Sequence, residues 1–216
     1  MMTNITLYGY WRSSAAYRVR IVLNLKGLNY QMSPVHLVRN GGEQHSDAFH
    51  QLNPSELVPV LTDGDITLSQ SLAIIEYLDD VYPQMPMIPA SGHDKYQVLS
   101  LAQDIASDIH PLNNLRVLQY LRQHLAVSEE QKDAWYRHWI QVGFTAFEQK
   151  LLRRSGQYCV GDTLSLADVC LVPQVYNAER FHVPMQEYPQ IQRITERLRR
   201  IPGFARAAPE QQPDSE

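Results

Sequence analysis

Residues 10–20 read Tyr10-Trp11-Arg12-Ser13-Ser14-Ala15-Ala16-Tyr17-Arg18-Val19-Arg20, and two kinds of pattern meet in them. Before them, Ile5 to Tyr10 has strand character. After them, Ala16, Val19, Val22, Leu23 and Leu25 recur at helical spacing as far as Lys26, with Arg18 and Arg20 expected elsewhere on the surface. Gly27 then suits a left-handed cap at the helix end. A strand running straight into a helix places Ser13 and Ser14 where the first backbone N–H groups lack intrahelical partners and the helix dipole is positive. Such a place favours an anion, a thiolate included, and a serine hydroxyl there can donate a hydrogen bond to it. Plain N-capping by either serine is the simpler reading of this stretch by itself.

Working outward, Tyr30 to Leu37 reads as extended. Asn40, Gly41 and Gly42 make a loop, and Ser46 to Leu52 is weakly helical. Val58 to Thr62 and Ile66 to Leu68 read as strands joined at Asp63-Gly64-Asp65, a good hairpin signal. Ser69 to Val81 carries Leu72, Ile75 and Leu78 on one helical stripe. The order β-α-β-α-β-β-α predicts a mixed sheet covered by helices over residues 1–83. Prolines 83, 86 and 89 punctuate the next segment, so 84–92 reads as a linker. Residues 93–216 are predicted all-helical, with helices over roughly 94–124, 129–154, 165–181 and 188–200. The tail 208–216, polar and with two prolines, is expected to be mobile.

Composition narrows the function classes. The 216 residues are 44% hydrophobic and 19% charged, a globular balance. A net charge of −4 gives no electrostatic reason to expect nucleic acid. No apolar run reaches the roughly 18 residues of a membrane span, and no secretory leader is visible, so a cytoplasmic protein with no membrane partner is expected. Cys159 and Cys170 form no CxxC pair and are expected to be buried; the eight histidines show no ligand spacing, so no metal is expected.

A second informative segment is Val58-Pro59-Val60-Leu61 with Gln70-Ser71. Proline at a strand start cannot join the ladder, which leaves the N–H and C=O of Val58 free to pair with an extended peptide. Gln70 and Ser71, opening the next helix, offer amide, hydroxyl and backbone donors to a carboxylate. Singly, each is better explained by an edge proline and an ordinary helix start. Together with Ser13 and Ser14 they supply a thiolate site, a peptide-pairing edge and a carboxylate site. Glutathione, a short acidic peptide with a thiol, needs those three.

The resemblance now becomes specific. WRSSAAYRVRIVLNLKGLNY (11–30) resembles the N-terminal signature of zeta-class glutathione transferases. LNPSELVPVL (52–61), LSQSLAIIEYLDD (68–80), IHPLNNLRVL (109–118) and YCVGDTLSLADVCLVPQVYNAERF (158–181) are similar to further blocks of that family in the same order. The resemblance implies a thioredoxin-like α/β N-terminal domain, an all-α C-terminal domain, a homodimer and glutathione as cofactor. It implies an enzyme, by the class's defining activity a cis–trans isomerase turning maleylacetoacetate into fumarylacetoacetate in tyrosine and phenylalanine catabolism. Maleylpyruvate isomerisation, conjugation to electrophiles or α-halo acids, and a non-catalytic binding role are the rivals.

Carried over by position, Ser13 is the thiolate stabiliser with Ser14 as its alternate, and Gln44, Val58, Gln70 and Ser71 contact glutathione. His110 and Asn114 are weaker carry-overs to the same set. Because a maleyl substrate is a dicarboxylate, Arg12, Arg116 and Arg180 are the candidate cations. One departure matters: the family's cysteine after the two serines is Ala15 here and the following aromatic is Tyr17, so chemistry needing a protein thiol at Ala15 is absent. Ser165 and Asp168 read as a reciprocal helix cap, Trp135 and Trp139 as core, and Arg193, Arg197, Arg199 and Arg200 as a solvated face.

Overall fold

The computed structural model describes residues 4–216, which fall into two compact units. One takes the chain up to Met87 together with Arg199–Glu216, and the other is Ile88–Leu198.

The first unit is built on a four-stranded sheet in the order β2-β1-β3-β4, from β1 (Ile5–Gly9), β2 (Tyr30–Pro34), β3 (Val60–Asp63) and β4 (Ile66–Ser69). β1 and β2 run parallel through the crossover helix α1 (Ser14–Leu25), as a βαβ unit requires. β3 pairs antiparallel with both β1 and β4, and the β3–β4 hairpin turns at Asp63-Gly64-Asp65 as expected. Along β1, Ile5, Leu7 and Gly9 are buried while Thr6 and Tyr8 are half-buried, the period-2 pattern of a strand facing a core. Helices α2 (Asp47–Leu52) and α3 (Ser71–Val81) complete the expected element order. Gly27 closes α1 at φ +66, the left-handed geometry that favours glycine.

Three sequence expectations change here. Arg18 and Arg20 are buried, not on the surface. α1 is enclosed because a short helix that the sequence reading passed over, α9 (Pro202–Ala207), packs on it in addition to α3. Arg20 donates to the carbonyls of Trp11 at 2.9 Å, Ala207 at 3.0 Å and Tyr10 at 3.4 Å, which compensates the burial of its charge. That burial lowers its pKa to about 10, still well above neutrality.

The tail is held rather than free. Asp214 accepts the Trp11 N–H at 3.0 Å, Gln212 donates to Ala208 and Arg206, and Glu216 meets Arg39 and His36 at 2.7 and 3.2 Å. Nor is the proline-rich segment all linker. Met87 is fully buried and donates its N–H to Asp79, whose carboxylate also pairs with Lys26 at 2.8 Å.

The second unit is helical as expected: α4 (His93–Gln103), α5 (Leu115–Gln123), α6 (Glu129–Arg154), α7 (Leu166–Arg180) and α8 (Pro189–Arg199). The single helix expected over 94–124 is broken. A π-helical turn (Asp104–Ile109) and a 3-10 turn (His110–Asn113) separate α4 from α5. Pro111 has no N–H to continue the ladder, and Asn114 restarts it by capping α5, its side chain accepting the Arg116 N–H at 3.1 Å. α7 is buried along most of its length and forms the core of the unit. Its N-terminus is closed by the expected reciprocal cap. Asp168 accepts the Ser165 N–H at 2.9 Å and hydroxyl at 3.0 Å, and the Cys159 N–H at 2.9 Å. Cys159 and Cys170 are not joined in a disulfide and both are buried, as expected.

Candidate active site

Four chain segments finish at one end of the sheet. Gly9 pairs with Pro34, so the chain leaving β1 toward Ser13 and the chain leaving β2 toward Leu37 emerge side by side. Tyr8 faces Val60 across an antiparallel pair, which sets Val58 beside the residues that follow Tyr8. Val60 in turn faces Ser69, so Gln70 and Ser71 come out at the same end. Register alone therefore gathers Arg12, Ser13, Ser14, Val58, Gln70 and Ser71. Gln44 joins them by donating its amide to the Leu37 carbonyl at 3.4 Å.

At the start of α1, Ser13 is the N-cap, and its Oγ accepts the Ala16 N–H at 3.2 Å. That bond uses an acceptor lone pair and leaves the hydroxyl proton available to an anion, so capping and thiolate stabilisation are compatible in one residue. Ser13 is half-buried, whereas Ser14, at the first helical position, is 5% exposed. Arg12 is half-buried with its guanidinium over the Trp11 ring at 4.7 Å, and it donates to the Tyr10 hydroxyl at 3.2 Å.

The start of α3 is built differently. Gln70 holds φ +71, a region costly for a residue with a Cβ, and its side chain makes no capping bond. The first N–H groups of an eleven-residue helix are thus left without a side-chain cap. Behind them Ser71 is buried, and its Oγ accepts a hydrogen bond from Arg18 at 3.2 Å. Sequence reading missed this arginine. Its helical spacing placed it off the apolar stripe, and only the packing of α1 against α3 brings it to Ser71.

Val58 precedes a cis bond to Pro59, and its N–H and C=O take no hydrogen bond among the described residues. Gln44 is buried, with Oε1 unpartnered among the described residues. Its tight turn needs Gly42, at φ +108, where a Cβ would come within 2.4 Å of the Gln44 amide. A peptide edge, an open helix N-terminus, an orphaned buried amide oxygen and a serine at a second helix start fit the cofactor expected from the sequence. Glutathione would meet Val58 with its backbone, α3 with a carboxylate and Ser13 with its sulfur.

The remaining candidates lie in the helical unit. Asn114 is engaged as the α5 cap, His110 is half-buried in the 3-10 turn, and Arg116 is exposed in the first turn of α5. Arg180, the last residue of α7, is exposed with its guanidinium over the Phe181 ring at 4.8 Å. Trp135 and Trp139 are half-buried and pack edge to face, and Trp135 donates to the Leu112 carbonyl at 2.8 Å. Arg193 and Arg197 do lie on an exposed face, reaching Gly156 and Gln157.

Comparison with known proteins identifies the family. Residues 3–80 match the glutathione S-transferase N-terminal domain and residues 113–206 the glutathione S-transferase C-terminal domain. A Vibrio cholerae protein named "Probable maleylacetoacetate isomerase" is 63% identical, covering 99% of this chain and 100% of its own. The solved holo structure of a maleylpyruvate isomerase, described as a bacterial zeta-class glutathione S-transferase, is 44% identical with a TM-score of 0.94, covering 98% of this chain and 100% of that one. The maleylacetoacetate isomerase of Methylobacterium extorquens AM1, solved with bound malonate and glutathione, is 36% identical with a TM-score of 0.94 over 98% of this chain and 99% of its own. The chain therefore belongs to the glutathione S-transferase family and groups with its zeta-class members.

Proposed function

We propose that this protein is a glutathione-dependent cis–trans isomerase of maleyl-type diketo acids, with maleylacetoacetate as its substrate and fumarylacetoacetate as its product. The observation that carries this reading is the convergence of Ser13, Val58 and the open N-terminus of α3 at one end of the sheet. Those features suit a thiol-bearing acidic peptide, and full-length identity to isomerases supplies the reaction.

Bound glutathione supplies a thiolate that adds to the cis double bond, lets it rotate as a single bond, and leaves again to give the trans product, so that it is regenerated. Ser13 donates its hydroxyl proton toward the sulfur, and the first N–H groups of α1 hold the negative charge. Both lower the thiol's pKa and keep the nucleophile ionised at neutral pH. Val58 pairs with the peptide backbone, while Gln70, Ser71 and the N–H groups of α3 hold a carboxylate, with Gln44 as a further polar contact. Arg12, Arg116 and Arg180 are the cations assigned to the substrate's carboxylates and to the charge that develops on its carbonyl oxygen. Malonate, a dicarboxylate, is bound with glutathione in the Methylobacterium relative, which supports a dianionic substrate. Ala15 removes no required group, because the sulfur comes from glutathione.

Maleylpyruvate is the second reading, because the solved isomerase of that shorter acid is 44% identical, against 36% for the Methylobacterium maleylacetoacetate isomerase, at the same TM-score of 0.94. The same proposal extends to a homodimer acting in the cytoplasm in tyrosine and phenylalanine breakdown. No helix among the described residues is long and apolar enough to cross a membrane. Turnover of maleylacetoacetate and maleylpyruvate in parallel, with and without glutathione, tests the assignment. Faster glutathione-dependent loss of maleylacetoacetate is expected. A preference for maleylpyruvate moves the substrate, and loss of neither acid despite glutathione binding removes the isomerase reading.

A further inference from the structure

Tyr136, on α6, joins the two parts of the helical unit that carry candidate substrate cations. Its ring is 3% exposed and lies flat on Phe181, with centroids 3.7 Å apart and planes 10° from parallel. Phe181 in turn carries the Arg180 guanidinium over its ring at 4.8 Å, and Arg180 donates a hydrogen bond to the Tyr136 hydroxyl. The backbone of the same residue accepts the Asn113 side-chain amide at 3.2 Å, and its neighbour Trp135 holds Leu112. The turn leading to Asn114 and Arg116 is therefore fixed from the same place on α6.

An exposed arginine at a helix end has several rotamers of similar energy, and binding a carboxylate would cost the entropy of choosing one. A ring beneath the guanidinium and a hydroxyl at its edge make that choice beforehand. We propose that Tyr136 is a positioning residue for substrate recognition, holding Arg180 on Phe181 in the orientation that receives a carboxylate of the maleyl acid. Burial pushes the Tyr136 phenol up to about 12, with the Arg180 cation acting the other way. It thus stays neutral through the working range and accepts from the guanidinium without competing for the substrate's place as an anion.

This inference rests on Arg180 serving the substrate, and the experiment separates the two. Steady-state kinetics with maleylacetoacetate and glutathione binding are measured for Tyr136→Phe, Arg180→Ala and the double variant, with thermal unfolding of each. Arg180→Ala is expected to raise KM for the acid at least about tenfold, and Tyr136→Phe about three- to tenfold, the scale of one ordinary intramolecular hydrogen bond. Glutathione affinity should hold in both. The double variant should match Arg180→Ala alone, because Tyr136 acts only through that side chain. Phe181→Leu, which leaves the hydroxyl and removes the ring under the guanidinium, should give the same KM signature and serves if Tyr136→Phe folds poorly. Unchanged KM in Arg180→Ala overturns both the arginine's role and this inference. Raised KM in Arg180→Ala with unchanged KM in Tyr136→Phe, or fully additive effects in the double variant, overturns the inference alone.

Discussion

The N-termini of α7 and α3 present the same chemical problem and solve it in opposite ways. At α7, Ser165 and Asp168 satisfy each other's donors inside the core, and Asp168 takes a further N–H from Cys159. At α3, Gln70 stands at a left-handed φ and no side chain caps the first helix donors. α1 lies between the two, capped by Ser13 through one lone pair while the hydroxyl proton stays free. Donors satisfied from within the chain serve folding, and donors without a side-chain cap are available to a ligand.

The largest expected effect tests the closed end. Asp168→Ala should lower the unfolding free energy by about 3 kcal/mol, since it removes a buried cap and strands the Ser165 and Cys159 N–H groups. Denaturant unfolding reads this, and the folded fraction should bind glutathione normally. A normal stability with weakened glutathione binding would break the comparison.

Next comes the half-open end. Ser13→Ala should cost about 1 kcal/mol of stability as a lost N-cap, and it should lower turnover by about 100-fold, the scale of one preorganised donor to a developing anion. Titration of the bound thiol by its ultraviolet absorbance should show a raised pKa. If the thiol titrates as in the parent protein, Ser13 is a cap and nothing more.

A smaller change is expected at α3. Gln70→Gly should leave stability within about 0.5 kcal/mol, because relief at positive φ is offset by glycine's greater freedom in the unfolded chain. Glutathione affinity should nevertheless fall about tenfold through loss of the amide. Unaltered affinity would mean that backbone alone makes the site.

The smallest effect lies outside both ends, at Glu56, which meets His45 at 2.5 Å and His50 at 2.9 Å. Hydrogen bonds from those imidazoles, His45 first, hold its carboxyl below the usual range. A lowered folded-state value means a contribution present above the unfolded pKa and lost as pH falls through the folded one. Side-chain NMR titration should place Glu56 below ordinary glutamate, and a value at or above it would remove this pair of contacts from the account.

Local chemistry was legible in the chain from the start. The β-α-β-α-β-β-α order, the Asp-Gly turn, the Gly27 terminus and the Ser165–Asp168 cap follow from periodicities and residue preferences that act within a few positions. The places of Ser13, Val58, Gln70 and Ser71 at strand or helix boundaries were legible for the same reason, since each boundary is written in its neighbours. Arg20 could not be read this way. It pairs with Ala207, 187 residues later, and nothing near position 20 announces a short helix at the far end. The same holds for Trp11 and Asp214, Arg18 and Ser71, and the stack of Tyr136 on Phe181. Sequence by itself determined the elements, their order and the residues at their ends. Tertiary structure decided which charges are buried and which side chains support the site, because a buried charge is tolerated only where distant segments supply its hydrogen bonds.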